Sequence, residues 1–364
     1  GFECNCPVGK QGLPAQGLTY GRAMKKVGYE TMLLGKWHLG ATKQQHPNKQ
    51  GIDHFHGLIE GSRSYFPIKG RGHRRLQKNG KLINETKMKY VTNWLTDEAM
   101  SLIDQRDRKK PFFMFLSYTA PHTPMHALPE DGALFKHIKK NKRRTYAAMV
   151  HNMDKNIGKL RSHLKAKNLA ENTIIIFTSD NGGSPHNGSS NGIYRGYKGT
   201  KFEGGQRVPC LISWPKGGIT GGKKSDMLVS LLDFMPTTLA AAKAEEMFKE
   251  HKFDGMNLLP QLKSNSNAEA HDALFWRRSV VAGVRKGDWK LIRVQKTDKN
   301  YRYLFFNLKK DVGEKNDLFS KFPQRAKNYI TLLENWEKGL IERKWKEDDR
   351  WENNQRKNNR ITAK

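Results

Sequence analysis

Four short stretches of the chain carry side chains whose types and spacing suit chemistry. Gly35–Gly40 (GKWHLG) sets Lys36 and His38 two residues apart with Trp37 between them. On an extended backbone alternate side chains face opposite ways, so Lys36 and His38 would share a cationic face while Trp37 anchors the segment. Pro121–Pro124 (PHTP) holds His122 between prolines that restrict the backbone. An imidazole held in this way suits general acid work on a leaving oxygen. Ser179–Gly183 (SDNGG) offers two oxygen donors, Asp180 and Asn181, ahead of glycines that let the chain turn sharply. Such donors suit a hard cation, but calcium takes roughly 6–8 oxygens, so two residues supply only part of a shell. In Tyr197–Val208 (YKGTKFEGGQRV), Lys198 stands in a glycine-rich loop whose backbone amides can approach an anion. Each stretch alone reads equally well as a turn or a solvated loop. A fifth stretch, Gly217–Lys224 (GGITGGKK), nearly matches a phosphate-binding loop. It has Lys224 where a hydroxyl should hold magnesium, which excludes an NTPase.

The elements that must position these residues are short apolar runs alternating with helical patterns. Thr31–Leu34, Phe112–Tyr118, Thr173–Ser179 and Val208–Trp214 read as strands buried on both faces. Helices are expected at Thr19–Val27, at about Asn93–Arg106 and at about Arg143–Lys167. The last has Tyr146, Met149, Val150, Met153, Ile157, Leu160 and Leu164 on one stripe. This order predicts an α/β fold with a mostly parallel sheet flanked by helices. Ligands in such folds bind outside the carboxyl ends of the strands. Three of these strands run straight into Lys36 and His38, into His122, and into Asp180 and Asn181. Beyond about Pro260 the texture changes: Ala273–Trp276, Val280–Val284, Trp289–Val294 and Tyr303–Asn307 read as short strands, and Pro323–Leu340 as a helix. The expected organisation is a catalytic α/β domain over residues 1–262, a small antiparallel domain with one helix over 270–341, and a charged tail over 342–364.

A chain of 364 residues that is 36% hydrophobic can bury a sizeable core. Its net charge of +31 favours a polyanionic partner or substrate. The cations cluster at Arg71–Lys78 (RGHRRLQK) and Lys136–Arg144 (KHIKKNKRR). No helix-turn-helix, zinc-finger or RNA-recognition signature accompanies them, so nucleic acid is not expected. Cys4, Cys6 and Cys210 are too few for a disulfide framework or a four-ligand zinc site. No apolar run approaches the roughly 18 residues that span a bilayer.

Taken together and in this order, GKWHLG, PHTP, FTSDNGG and GYKGTKFEGGQRVP resemble the formylglycine-dependent sulfatase family, closest to its arylsulfatase-like and N-acetylgalactosamine-6-sulfatase-like members. The resemblance extends over about residues 1–345, through GLPAQGLTYGRAMKKVGYETMLLGKWHLG and, near the other end, LFWRRSVVAGVRKGDWKLIR and LFFNLKKDVGEKNDL. It implies an alkaline-phosphatase-like α/β domain with a small C-terminal antiparallel domain. It also implies a bound Ca2+ (in preference to Mg2+) and a formylglycine made from Cys or Ser. Carried over by position, Asp180 and Asn181 match metal ligands, and Lys36 and His38 match the pair beside the formylglycine hydrate, where His38 would help release sulfate. His122 matches the group that assists the leaving alcohol, and Lys198 the cation that binds the sulfate.

The family's nucleophile motif, Cys or Ser followed by x-Pro-Ser-Arg, is absent: Cys6 stands two places after Cys4 where Pro belongs, and Cys6 is followed directly by Pro7. The strand that carries paired aspartates for the metal is absent too. The expectation is therefore a sulfuric ester hydrolase that is N-terminally truncated and inactive as this chain alone. The whole protein would need a formylglycine-generating or equivalent maturation enzyme, and the family implies a periplasmic or secreted location. The basic excess makes a sulfated carbohydrate the expected substrate over a small aryl sulfate, with Arg63, His186 and Arg195 as contacts to its organic part. Two other readings stay open: a non-catalytic binder of sulfated glycan or another polyanion, such as nucleic acid, on the same scaffold, and a related phosphoesterase.

Overall fold

The computed structural model describes residues 11–70, 74–264, 266, 268–297, 300–342 and 349–359. Cys4, Cys6, the start of the first basic cluster (71–73) and parts of the expected tail (343–348 and 360–364) lie outside the described residues.

Helix α1 (Tyr20–Lys26) begins where the Thr19 hydroxyl accepts from the Arg22 amide, satisfying one of the donors a helix start leaves open. It feeds β1 (Glu30–Lys36), which pairs in parallel with β2 (His54–Leu58). A short ribbon, β3 (Gln77–Lys78) and β4 (Lys81–Leu82), extends the sheet beyond β2 by antiparallel pairing. On its other side β1 pairs in parallel with β5 (Phe112–Ser117), giving the order β4-β3-β2-β1-β5. Alternate residues of these strands serve opposite faces. Met32, Leu34 and Met114 join Leu95, Ala99 and Leu102 of α2 (Val91–Gln105) in one core cluster, which after the short α3 (Pro129–Ala133) takes in Met149 of α4 (Asn141–Ala166). On the opposite face Leu33 and Phe55 pack with Trp37 and Ile52, and Phe113 packs with Ala23 and Met24 of α1. Each fully buried side chain of this kind contributes about 1.5–3 kcal/mol. The expected helices therefore form within two residues of their predicted limits. One detail differs: the buried stripe of α4 includes Asn152 and Asn156, which donate to Asp131 and Asn93.

Three strands depart from expectation. β6 (Ile175–Thr178) and, after the short α5 (Glu203–Gln206), β7 (Cys210–Ser213) pair with each other, antiparallel, as a separate two-stranded sheet. They are not buried on both faces, and neither is β5, which is an edge strand: Phe115 is 48% exposed and Leu211 61%. Among the described residues no strand joins β5 to β6, so these apolar runs lack the neighbour that would cover them.

Helices α6 (Phe234–Ala241), α7 (Glu245–Glu250) and α8 (Leu259–Ser264) lead to a second sheet of β8 (Leu274–Arg278), β9 (Val281–Lys286), β10 (Trp289–Thr297) and β11 (Asn300–Asn307). All its pairings are antiparallel, as expected. One face (Ala282, Val284, Leu291, Phe305) packs against α9 (Pro323–Lys338), and the other (Val281, Ile292, Leu304, Phe306) packs on Phe202 of the first domain. The tail reading fails for residues 349–359. They form α10 (Asp349–Asn358) and its cap, with Gln355 and Asn359 buried, because their amides and carboxylates find partners on the main body.

Candidate active site

The ladder between β1 and β2 continues past β1: the Trp37 and His38 amides donate to Leu58 O and Ile59 O, at 2.9 and 2.8 Å. Trp37 is buried against Leu33, Ile52 and Phe55, so it anchors the loop as its sequence position suggests. The backbone at His38 is not extended, however. Its φ is +54°, the left-handed region that non-glycine residues seldom enter, so simple alternation does not set the direction of this side chain. The imidazole packs against Gly61 instead. A Cβ at Gly61 would sit 2.5 Å from the His38 ring, so only glycine leaves room for it.

Beyond β5 the chain turns through two cis peptide bonds, Ala120–Pro121 and Thr123–Pro124. His122 is pinned inside that turn. Its amide donates to Thr119 O (2.8 Å), its carbonyl accepts from the Tyr65 hydroxyl (3.0 Å), and its Nδ1 lies 2.8 Å from Thr123 O. An Nδ1–H donating to that carbonyl leaves Nε2 as the reactive nitrogen.

Beyond β6, Asp180 is exposed, and among the described residues its carboxylate has no hydrogen-bond or ion-pair partner. The loop that follows is stitched to the Lys198 loop. Gly182 N donates to Gly205 O (3.2 Å), and Lys198 N donates to Gly183 O (3.1 Å). Asn191 accepts from Gly183 N and donates to Gly196 O. The approach is so close that a Cβ at Gly182 would lie 1.8 Å from Gly204 O.

The four sequence motifs thus come together beyond the ends of β1, β5 and β6, which belong to two separate sheets, and their charges act on one another. Burial lowers the Lys36 pKa, with Asp180 opposing and Lys198 adding to the shift. Burial also lowers His38, and Lys36, Lys198 and His122 push it the same way. His122 is lowered by burial, raised by the Thr123 carbonyl, and lowered again by Lys198 and Lys36. Both imidazoles are therefore biased towards the neutral form in a pocket of cations.

Asp180 and the Asn181 side-chain oxygen fit one side of a hard-cation site: the carboxylate is unpaired, and the Asn181 amide NH2 donates to Gly182 O. Among the described residues no group of three or more His, Cys, Asp or Glu could hold a metal ion.

One expected substrate contact is corrected, and a second is already engaged within the chain. Arg63 is 2% exposed, and its guanidinium makes a bidentate pair with Glu85 at 2.9 and 2.6 Å, holding the loop after β2 to the segment after β4. Arg195 donates to Glu314 O at 2.6 Å and covers the Phe202 ring, tying the loop before β7 to the segment after β11. Both arginines look like surface residues in sequence because the group each one bonds, a carboxylate for Arg63 and a main-chain carbonyl for Arg195, is brought to it by the fold. His186 stays near the site: it is exposed, and its neighbour Asn187 donates to Pro121 O at 3.1 Å. Gly61, Asn187 and Asn191 hold the site and were not foreseen, since a glycine or asparagine in a loop reads only as a turn former.

The sequence matches the sulfatase family over residues 7–244 and the N-sulphoglucosamine sulphohydrolase C-terminal family over 197–339. It is 33% identical over 266 residues to human (Homo sapiens) N-acetylgalactosamine-6-sulfatase, covering 69% of this chain and 49% of that protein. It is 30% identical over 287 residues to arylsulfatase J of Mus musculus, covering 76% and 47%. The chain thus spans about half the length of these relatives. Among solved structures it resembles Ps i-CgsB in complex with k-i-k-neocarrahexaose, with a TM-score of 0.86 and 33% identity over 98% of this chain and 82% of that one. The phosphonate monoester hydrolase of Agrobacterium radiobacter shares the fold alone, with a TM-score of 0.60 and 17% identity over 88% and 80%. The architecture is alkaline-phosphatase-like, with a small C-terminal antiparallel sheet and helix, and the chain belongs to the sulfatase family.

Proposed function

We propose that these residues form most of the catalytic unit of a hydrolase that cleaves sulfate esters of a sulfated carbohydrate. The convergence of Lys36, His38, His122 and Lys198 beside Asp180 carries this reading. Lys198 and Lys36 bind and neutralise the sulfate oxygens, where preorganised charge stabilises the transition state. The negative charge of the ester offsets the two lysines at His122 and raises its pKa. Its Nε2 then carries the proton that passes to the leaving alcohol oxygen as the S–O bond breaks. His38 assists sulfate release. Asp180 and Asn181 hold part of a calcium site, with magnesium as the lesser candidate, and the ion would neutralise sulfate charge when bound. A formylglycine, made from Cys or Ser outside these residues by a formylglycine-generating or equivalent enzyme, would supply the nucleophile. The exposed edge of β5 and the exposed side chains of β7 offer a place for a segment that carries it. Among the described residues no helix is long and apolar enough to cross a membrane, and the family reading favours a periplasmic or secreted protein.

The relatives support this assignment: N-acetylgalactosamine-6-sulfatase by name, and Ps i-CgsB by its bound carrahexaose. The test is turnover of paired sulfate and phosphate esters by the whole matured gene product. Sulfate should be preferred, and Lys36→Ala or Lys198→Ala should each lower kcat/KM by about 10²–10³. Preference for phosphate would favour the phosphoesterase reading, and binding of sulfated glycan without any turnover would favour the non-catalytic one.

A further inference from the structure

The two basic clusters of the sequence have different fates in the fold. In the first, Arg75 pairs with Glu85 at 3.1 Å and Lys78 with Glu98 at 2.7 Å, so those charges hold loops together. The second, Lys136–Arg144, contains six cations and no carboxylate. Lys136, Lys139, Lys140, Lys142 and Arg143 are exposed, and among the described residues none of them forms an ion pair.

This second cluster spans the start of α4. That helix lies between β5 and β6 in the chain, and its start is tied to the loop that follows β6. The contact is direct. Arg143 donates to Gly188 O at 3.3 Å, and a Cβ at Gly188 would sit 2.9 Å from Arg143 N. The adjacent Asn187 donates to Pro121 O, next to His122.

The cations also stand where the helix disfavours them. The N-terminus of a helix carries partial positive charge and prefers acidic residues in its first turn and a capping oxygen before it. Here the cap position is Lys140, no side chain caps the helix, and no acidic residue occurs in the first turn. A local rule broken beside an active site points to a ligand that compensates for it.

We propose that Lys139, Lys140, Lys142 and Arg143 form a subsite for further anionic groups of the polymer whose scissile ester lies at His122 and Lys198. The enzyme would then act on multiply sulfated polysaccharide chains in preference to isolated monosulfated esters. This inference rests on the sulfatase reading for its substrate, but not for its binding surface.

The test uses Lys140→Asp/Lys142→Glu in the whole gene product. An acidic cap and first turn suit the helix, so Tm should rise by about 1–3 °C. Affinity for iota-carrageenan should nevertheless fall at least tenfold, with a shallower dependence on salt. The ratio of kcat/KM for that polymer to kcat/KM for 4-nitrophenyl sulfate should fall by a similar factor. A Lys139→Ser/Arg143→Ser variant should show the same loss and guards against a folding artefact. Polymer affinity within twofold of wild type in both variants would overturn the proposal. So would binding of duplex DNA as tight as that of the sulfated polymer at equal salt. If polymer binding falls in the variants but no form of the protein hydrolyses any sulfate ester, the surface stands and the sulfatase reading fails.

Discussion

His38 and His122 are each surrounded by cations, with Asp180 as the one opposing carboxylate, acting on His122. Their folded pKa values lie below the ordinary 6.5, so near that pH the folded chain binds fewer protons than the unfolded one. The sign follows: their contribution to stability is full above about pH 6.5 and is lost as pH falls through the folded values. Calorimetry from about pH 8 down to about pH 5 should show Tm dropping below pH 6.5, and His38→Gln/His122→Gln should flatten that part of the profile. Arg63 tests the reverse kind of residue. Burial pushes the Glu85 carboxyl up, but hydrogen bonds from Arg63, Ile68 N and Leu76 N, with the Arg63 charge, outweigh it and hold the pKa at about 2. Arg63→Met would remove the bidentate partner of that buried carboxylate and leave it Arg75 alone as a cation, which should cost up to about 3–5 kcal/mol of stability, read as a loss of Tm. A substrate contact would instead raise KM and leave Tm alone.

The Lys198 loop is an element held from both ends. On one side it is bonded to the loop after β6; on the other, the C-terminal domain grips it. Tyr197 donates to Asn358 Oδ1 (3.0 Å), Lys201 N donates to the buried Asn359 Oδ1 (2.7 Å), and Lys290 is buried against Glu203 (2.8 Å). Truncation after residue 348 removes α10 and with it two of these anchors. Sulfate affinity, followed by calorimetric titration, should fall several-fold while the β8–β11 sheet remains folded by circular dichroism. Unchanged affinity would show that the loop holds itself. The strand, helix and motif positions were legible because each depends on local periodicity or turn chemistry. Val281–Lys286 and Trp289–Thr297, for instance, carry short apolar runs on either side of a Lys-Gly-Asp turn. The docking of α10 was not legible, because a charged, Asn-rich segment has no apolar face, and its burial rests on side-chain amides meeting backbone groups about 160 residues away. The antiparallel pairing of β6 and β7 was hidden for a related reason: an apolar run states that a strand is covered but not by which neighbour.

At the scale of the molecule, the net charge of +31 divides into cations that lock the fold and cations left free beside the site. Arg63, Arg75 and Lys290 belong to the first group, and Lys36, Lys198 and the start of α4 to the second. Composition alone could not separate them, because the partners of the first group lie far off in sequence. The ends of β1 and β5 in one sheet and of β6 in the other, with the loop before β7, bring the second group together, so the site belongs to the packing of both sheets rather than to any one motif. The central claim is that Lys36, His38, His122 and Lys198 form a single sulfate site. It is tested most directly by measuring the pKa values of both histidines by NMR with and without saturating sulfate. Both should rise on addition of sulfate, and Lys198→Ala should largely abolish the response. Two histidines whose titration is unmoved by sulfate would contradict the account.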